Sequence, residues 1–180
     1  MADNIHWGII GLGKISNAFA RDLMIVKGCE LSAVASRSLS KAQTFAETYA
    51  VKTAYGSYEE LFQDDNIDIV YIGTPHDSHA EWAIKAMNAG KHVLCEKPLG
   101  VNAHQVRRMI EASQKNKVFL MEALWSRFNP IISEIIERVR LGDIGQVNYM
   151  NADFSFAAEV DDGSRLFNPD LAGGSILDIG

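Results

Sequence analysis

A run of β-forming apolar residues, Ile5–Ile10, passes directly into Gly11-Leu12-Gly13-Lys14-Ile15-Ser16 and then into a stretch with helical spacing. A strand, a turn rich in small residues and a helix in that order constrain the fold more than any other feature of the chain. The same alternation recurs downstream. Glu30–Ser36, Ile67–Gly73, His92–Cys95 and Val118–Met121 are short β-rich runs, and 15–24, 39–50, 76–89 and 102–116 carry apolar residues three and four apart. Strands alternating with helices predict an α/β fold, a doubly wound parallel sheet with crossover helices on both faces. Local signals agree: Ser57-x-x-Glu60 reads as a capping box, Asn102-x-x-Gln105 resembles one, and Gly90 stands where a helix C-terminal glycine belongs.

Asn129-Pro130 places a cap before a proline at a first helical position and opens an amphipathic helix to about Leu141. The turn Gly142-Asp143-Ile144-Gly145 then leads into Gln146–Phe156, whose Val147, Tyr149, Phe154 and Phe156 suit a long strand. The segment 157–174 reads as a polar loop. These features divide the chain into a first α/β unit, 1–124, and the start of a second, 125–180.

With 47% apolar and 22% charged residues over 180 positions, the chain can bury one complete core and part of a second. A net charge of −6, without any run of Lys or Arg, argues against nucleic acid or an anionic membrane as partner. No apolar stretch approaches the roughly 18 residues that span a bilayer, and MADNIHWGIIG has no signal-peptide pattern, so a cytoplasmic location is expected. Cys29 and Cys95 lack metal-ligand spacing and read as buried thiols; no metal site is expected.

In the glycine-rich turn each small residue has a physical task. Gly11 permits the tight bend, Gly13 lets backbone approach a pyrophosphate, and Ser16 allows close packing of helix on strand, while the helix N-terminus faces negative charge. Lys14 and Ile15 complete this phosphate-side group. About twenty residues on, a carboxylate would select a ribose diol and repel a 2′-phosphate. The chain has Ala35-Ser36-Arg37-Ser38 there, with Lys41 one turn along. Arg37 can take a phosphate bidentately, the serine hydroxyls can donate, and Lys41 adds a point charge, which favours NADP with NAD as the alternative.

His92-Val93-Leu94-Cys95-Glu96-Lys97-Pro98 puts a lysine at the carboxyl end of a predicted parallel strand, where doubly wound sheets gather ligands. There an ammonium can hold a hydroxyl and favour its alkoxide; the proline fixes the departing chain and suits a cis bond. The Gly11–Ser16 turn, Gly73-Thr74-Pro75 with His76 and His79, Ala89–His92 leading into Glu96-Lys97-Pro98, and Gly173-Gly174-Ser175-Ile176-Leu177-Asp178-Ile179-Gly180 together resemble the glucose-fructose oxidoreductase and inositol dehydrogenase (Gfo/Idh/MocA) family. Glu96–Asn102 and Met121–Phe128 are most similar to its NADP-linked trans-dihydrodiol and D-xylose dehydrogenases.

The resemblance implies hydride transfer between a sugar or cyclic diol hydroxyl and a nicotinamide. It implies that Thr74, Pro75, His76 and His79 border the nicotinamide half of the cofactor and that Glu96 and Lys97 contact its ribose. Lys97 and Asp178 would orient the reacting hydroxyl, and Trp125 and Arg127 would meet nicotinamide or substrate. His79 serves equally as a cap or packing residue, and Trp125 as core. In the family a proton-transferring Tyr or His follows the Asp by about one turn. Here the sequence stops at Gly180, so a truncated enzyme is expected, one that binds cofactor and turns over poorly. The intact enzyme would be a homo-oligomer. The competing reading is a non-catalytic dinucleotide-binding or regulatory module.

Overall fold

Side chains alternate across a pleated strand, and that alternation sorts this chain into two cores. On β1 (Ile5–Ile10), Ile9 points to one face and Ile10 to the other; Val34 opposes Ala33 and Ala35 on β2 (Cys29–Ala35), and Tyr71 opposes Val70 and Ile72 on β4 (Ile69–Ile72). The computed structural model describes residues 4–161, 163–164 and 166–178. Its sheet is wholly parallel, in the order β3-β2-β1-β4-β5-β6, with β3 (Thr53–Tyr55), β5 (His92–Cys95) and β6 (Leu120–Glu122) completing it.

Helices α1 (Lys14–Leu23) and α2 (Leu39–Thr48) cover the Ile9 face through Ala20, Leu23, Ala42 and Phe45. The opposite face takes α3 (Tyr58–Phe62), α4 (His79–Asn88) and α5 (Ala103–Asn116), burying Leu61, Ala83, Met87 and Met109 completely. A parallel sheet buried on both faces explains why its strands read as continuous apolar runs.

The expected caps form. Ser57 Oγ accepts the Glu60 N–H at 3.2 Å and Asn102 Oδ1 the Gln105 N–H at 2.9 Å. The return bonds come from one residue earlier than in the standard box: Gly56 N–H donates to Glu60 and Val101 N–H to Gln105. Asn129 caps α6 (Pro130–Leu141) through the Ile131 N–H, and Gly142 ends it at φ +83°.

Three expectations need correction. β3 escaped the sequence reading because it is three residues long, too short to show a period. Gln146–Phe156 is not a strand: 146–161 has no regular structure, is exposed throughout, and pairs with neither edge strand of the sheet, β3 or β6. The described part of 125–180 is therefore helical and irregular, with α6, α7 (Ser175–Asp178) and a 3₁₀ turn at Pro169–Leu171. Ile179 and Gly180 lie outside the described residues. Cys29 is half-buried, since it stands at the opening end of β2; Cys95 is fully buried.

Lys91 carries the joint before β5. Only 7% exposed, its Nζ donates to the Asp64 and Ile67 carbonyls at 2.7 and 2.9 Å, tying β5 to the loop that precedes β4. Replacing Lys91 by Met keeps its length, orphans the Ile67 carbonyl and leaves that of Asp64 with only the Ile67 N–H. Urea unfolding of Lys91→Met is expected to show a loss of about 2 kcal/mol; an unchanged midpoint would mean that water replaces the ammonium.

Candidate active site

The sheet order reverses direction between β1 and β4, so the segments leaving their paired carboxyl ends run to opposite faces of the sheet and open a crevice. Gly11 lies on its floor at φ +76°, and a Cβ on it would stand 2.5 Å from the Gly73 carbonyl carbon and the Thr74 nitrogen. No other residue type fits there without moving the backbone. Ser16, completely buried, donates from Oγ to the Gly11 carbonyl at 2.7 Å, and its size is set by Gly73 alongside. A Cβ on Gly13 would instead meet only the Gly11 oxygen, at 3.9 Å. That side of the turn is open.

Gly13 begins α1 with no side-chain cap and no acidic residue in the first turn, whereas α2, α3, α5 and α6 all cap with Ser or Asn side chains. The α1 N-terminus thus offers backbone donors and a positive dipole end to an anion. Lys14 and Ile15 are exposed beside it. Across the crevice Thr74, 8% exposed, keeps an Oγ1 with no hydrogen-bond partner. A buried hydroxyl in that state is costly unless a ligand pairs with it. The open glycine, uncapped helix and orphaned hydroxyl fit a dinucleotide.

At the end of β2, Ser36 is buried and accepts the Ser38 N–H at 3.3 Å; Ser38 caps α2, while the Arg37 and Lys41 side chains are exposed. Arg37 and Lys41 thus place two exposed cations at the start of α2. Tyr58 lies buried between them and the glycine turn. Burial raises its phenol pKa, outweighing the Arg37 charge and the Gly11 N–H, which lower it.

The Glu96-Lys97-Pro98 turn closes the other end of the crevice, and four groups hold it. Tyr71 donates to Glu96 Oε1 at 2.7 Å, and Glu96 Oε2 accepts the Lys97 N–H at 3.2 Å. The Lys97–Pro98 bond is cis. His79, fully buried on α4, sets Nδ1 2.8 Å from the Pro98 carbonyl oxygen and Nε2 2.9 Å from that of Thr74, so that one ring joins the β4 and β5 turns. Glu122, at the end of β6, accepts the Leu99 N–H at 2.7 Å, and Ala123 N–H donates to Cys95 O. Burial, then the hydrogen bond and charge of Glu96, push the Tyr71 phenol far above its usual range, so it remains a donor. Burial, then the Glu96 and Glu122 carboxylates, likewise push up the Cys95 thiol, leaving it inert.

Lys97 reaches out from this turn to Asp178, donating to its backbone carbonyl and standing 3.3 Å from Oδ1. The carboxylate side chain is 8% exposed and the lysine 31%, so the pair is screened from solvent chiefly on the Asp178 side. His76 is buried, with Nδ1 3.4 Å from the Ala172 carbonyl oxygen and its ring 5.7 Å from that of His79. Pro75 is exposed. Trp125 is 66% exposed on a 3₁₀ turn after β6 and so is not core; Arg127, on the same turn, is exposed too.

Thr74, His76, His79, Glu96, Lys97 and Asp178 are thus linked with the glycine turn around one crevice, while Trp125 and Arg127 stand on its β6 side in solvent. Sequence reasoning missed Tyr71 and Glu122. Tyr71 was hidden in an apolar run, though a phenol in such a run signals a polar tip needing a partner. Glu122 had the clearer signal, an acidic residue at the carboxyl end of a parallel strand. Among the described residues no cluster of His, Cys, Asp and Glu could hold a metal, and no helix is long and apolar enough to cross a membrane.

Residues 5–124 match the model of the oxidoreductase family described as having an NAD-binding Rossmann fold, Gfo/Idh/MocA. The chain is 44% identical over 178 residues to the trans-1,2-dihydrobenzene-1,2-diol dehydrogenase of Danio rerio, covering 98% of this chain and 53% of that protein. It is 42% identical to the D-xylose 1-dehydrogenase (NADP(+)) of Hypocrea jecorina, covering 98% and 50%. Among solved structures it resembles the 3-ketoreductase KijD10 of Actinomadura kijaniata in complex with TDP-benzene and NADP, with a TM-score of 0.74 and 31% identity over 80% of this chain and 46% of that one. The chain spans about half the length of these relatives. The match over most of its length, on a sheet of the same type, makes this chain a member of the Gfo/Idh/MocA oxidoreductase family.

Proposed function

We propose that this chain carries the cofactor half, and part of the catalytic apparatus, of an NADP-dependent dehydrogenase acting on a hydroxyl of a sugar or cyclic diol. The observation that carries the reading is the Lys97–Asp178 pair at the mouth of a crevice whose floor is Gly11, Gly13 and the orphaned Thr74 hydroxyl. The trans-dihydrodiol and D-xylose dehydrogenases among its relatives support the substrate class. A bound nicotinamide supplies the hydride acceptor.

The chain's own residues do the rest. The α1 N-terminus and Gly13 receive the pyrophosphate, with Lys14 and Ile15 at its edge, and Thr74 Oγ1 gains the partner it lacks. Pro75 and His76 border the nicotinamide half, and His79 acts by joining the Thr74 and Pro98 carbonyls. Glu96 accepts ribose hydroxyls. Lys97 donates to the reacting oxygen and stabilises its charge as the hydroxyl proton passes to solvent water and the hydride to the nicotinamide, with Asp178 holding the ammonium in place; such positioned charge is worth several kcal/mol. Trp125 and Arg127 face the substrate side. Since 146–161 is exposed and walls no pocket among the described residues, the substrate is poorly positioned, and slow turnover by these 180 residues is expected.

A purely regulatory dinucleotide module is the weaker reading, because sensing needs no ammonium paired with a buried carboxylate at the crevice mouth. Titration by calorimetry tests the cofactor claim: NADPH is expected to bind at least tenfold tighter than NADH, and a folded chain binding neither would overturn it. Arg37→Ala is expected to weaken NADPH by roughly 10- to 100-fold and NADH by less than threefold, as befits loss of a charge-assisted phosphate contact. For the chemistry, Lys97→Met in steady-state oxidation of D-xylose or a cyclic trans-diol with NADP is expected to cut turnover by about 10²–10³ with cofactor affinity altered only a fewfold; undiminished turnover would remove Lys97 from the reaction.

A further inference from the structure

Tyr71 is the largest fully buried side chain among the described residues, yet it carries a hydroxyl in the middle of an apolar strand. Its ring stacks on Phe19 of α1 with centroids 3.8 Å apart and 3° between planes, and Phe19 in turn packs against Trp7 at 5.4 Å. The register explains where the hydroxyl goes. Tyr71 stands beside Leu94 on β5, and Glu96, two residues further, returns to the same face of the sheet. The phenol crosses that gap to Glu96 Oε1.

We infer that Tyr71 is a positioning residue for the cofactor site: it fixes the Glu96 carboxylate so that its remaining lone pairs meet a hydroxyl-bearing ligand at the nicotinamide end of the crevice. A carboxylate offers about four acceptor positions. Tyr71 takes one and the Lys97 N–H another, and both bonds orient the group from the protein side. The remaining acceptors suit a vicinal diol such as a ribose, which presents two donors. Because Phe19 belongs to the helix that begins at Gly13, the Phe19–Tyr71–Glu96 contact also couples the phosphate end of the crevice to its hydroxyl-binding end. The inference rests on the dinucleotide reading above and assigns it a residue.

Tyr71→Phe in the full chain tests it, because the ring and its stack on Phe19 stay while only the hydroxyl is lost. Two probes are titrated: NADPH, which spans the crevice, and adenosine 2′,5′-bisphosphate, which lacks the nicotinamide half. The variant is expected to bind NADPH about 5- to 10-fold more weakly and the bisphosphate within twofold of the unaltered chain. In a Glu96→Gln background, Tyr71→Phe is expected to add less than twofold, since the two groups act as one. Unchanged NADPH affinity overturns the inference, as does equal weakening of both probes, which marks a general packing role. If the unaltered chain binds neither probe while folded by circular dichroism, the dinucleotide reading itself fails, before any variant is compared.

Discussion

The close approach of β1 and β4 at their carboxyl ends is the constraint on which the rest depends. Gly11 lies against the Gly73–Thr74 backbone, leaving no space for a side chain, and Ser16 fills the adjoining gap while bonding the Gly11 carbonyl. That contact brings the start of α1 to the floor of the crevice instead of its rim. It also brings Thr74 to the same place, with its hydroxyl buried and unpartnered. A larger residue at Gly11 or Gly73 would part the strands and lift the helix N-terminus away from the crevice floor.

The second feature of the architecture is how little freedom the Glu96–Leu99 turn retains. It is held from β4 by Tyr71, from α4 by His79 and from β6 by Glu122, each through a side chain reaching a different atom of the turn. Lys97 reaches from that segment to Asp178, 81 positions further along the chain. A side chain whose support is fixed in advance needs little reorganisation when it meets a polar partner. The rigidity of the turn and the reach of the lysine are two sides of one arrangement.

Much of this was legible in the sequence. The strands β1, β2, β4 and β5 declared themselves because burial on both faces demands unbroken apolar runs, and the crossover helices because one apolar stripe recurs every turn. Gly11 was readable because only a missing side chain solves the steric problem there. Residues 146–156 were misread for an equally physical reason: alternating apolar residues state only that a strand is compatible, and a strand exists once a neighbouring edge supplies hydrogen bonds. The exposed Trp125 was ambiguous for the same cause, since aromatic character does not say which surface lies opposite.

By itself the sequence determined the α/β alternation, the glycine turn, the cation-bearing end of β2 and the Glu96-Lys97-Pro98 turn, because each follows from forces acting within a few residues. Only the tertiary structure decided which distant groups share the crevice. Tyr71 and Glu96 are 25 positions apart, His79 and Pro98 19, and Lys97 and Asp178 81. Pairings at such separations are set by strand order and register, which arise from packing the whole sheet, and no local pattern encodes them.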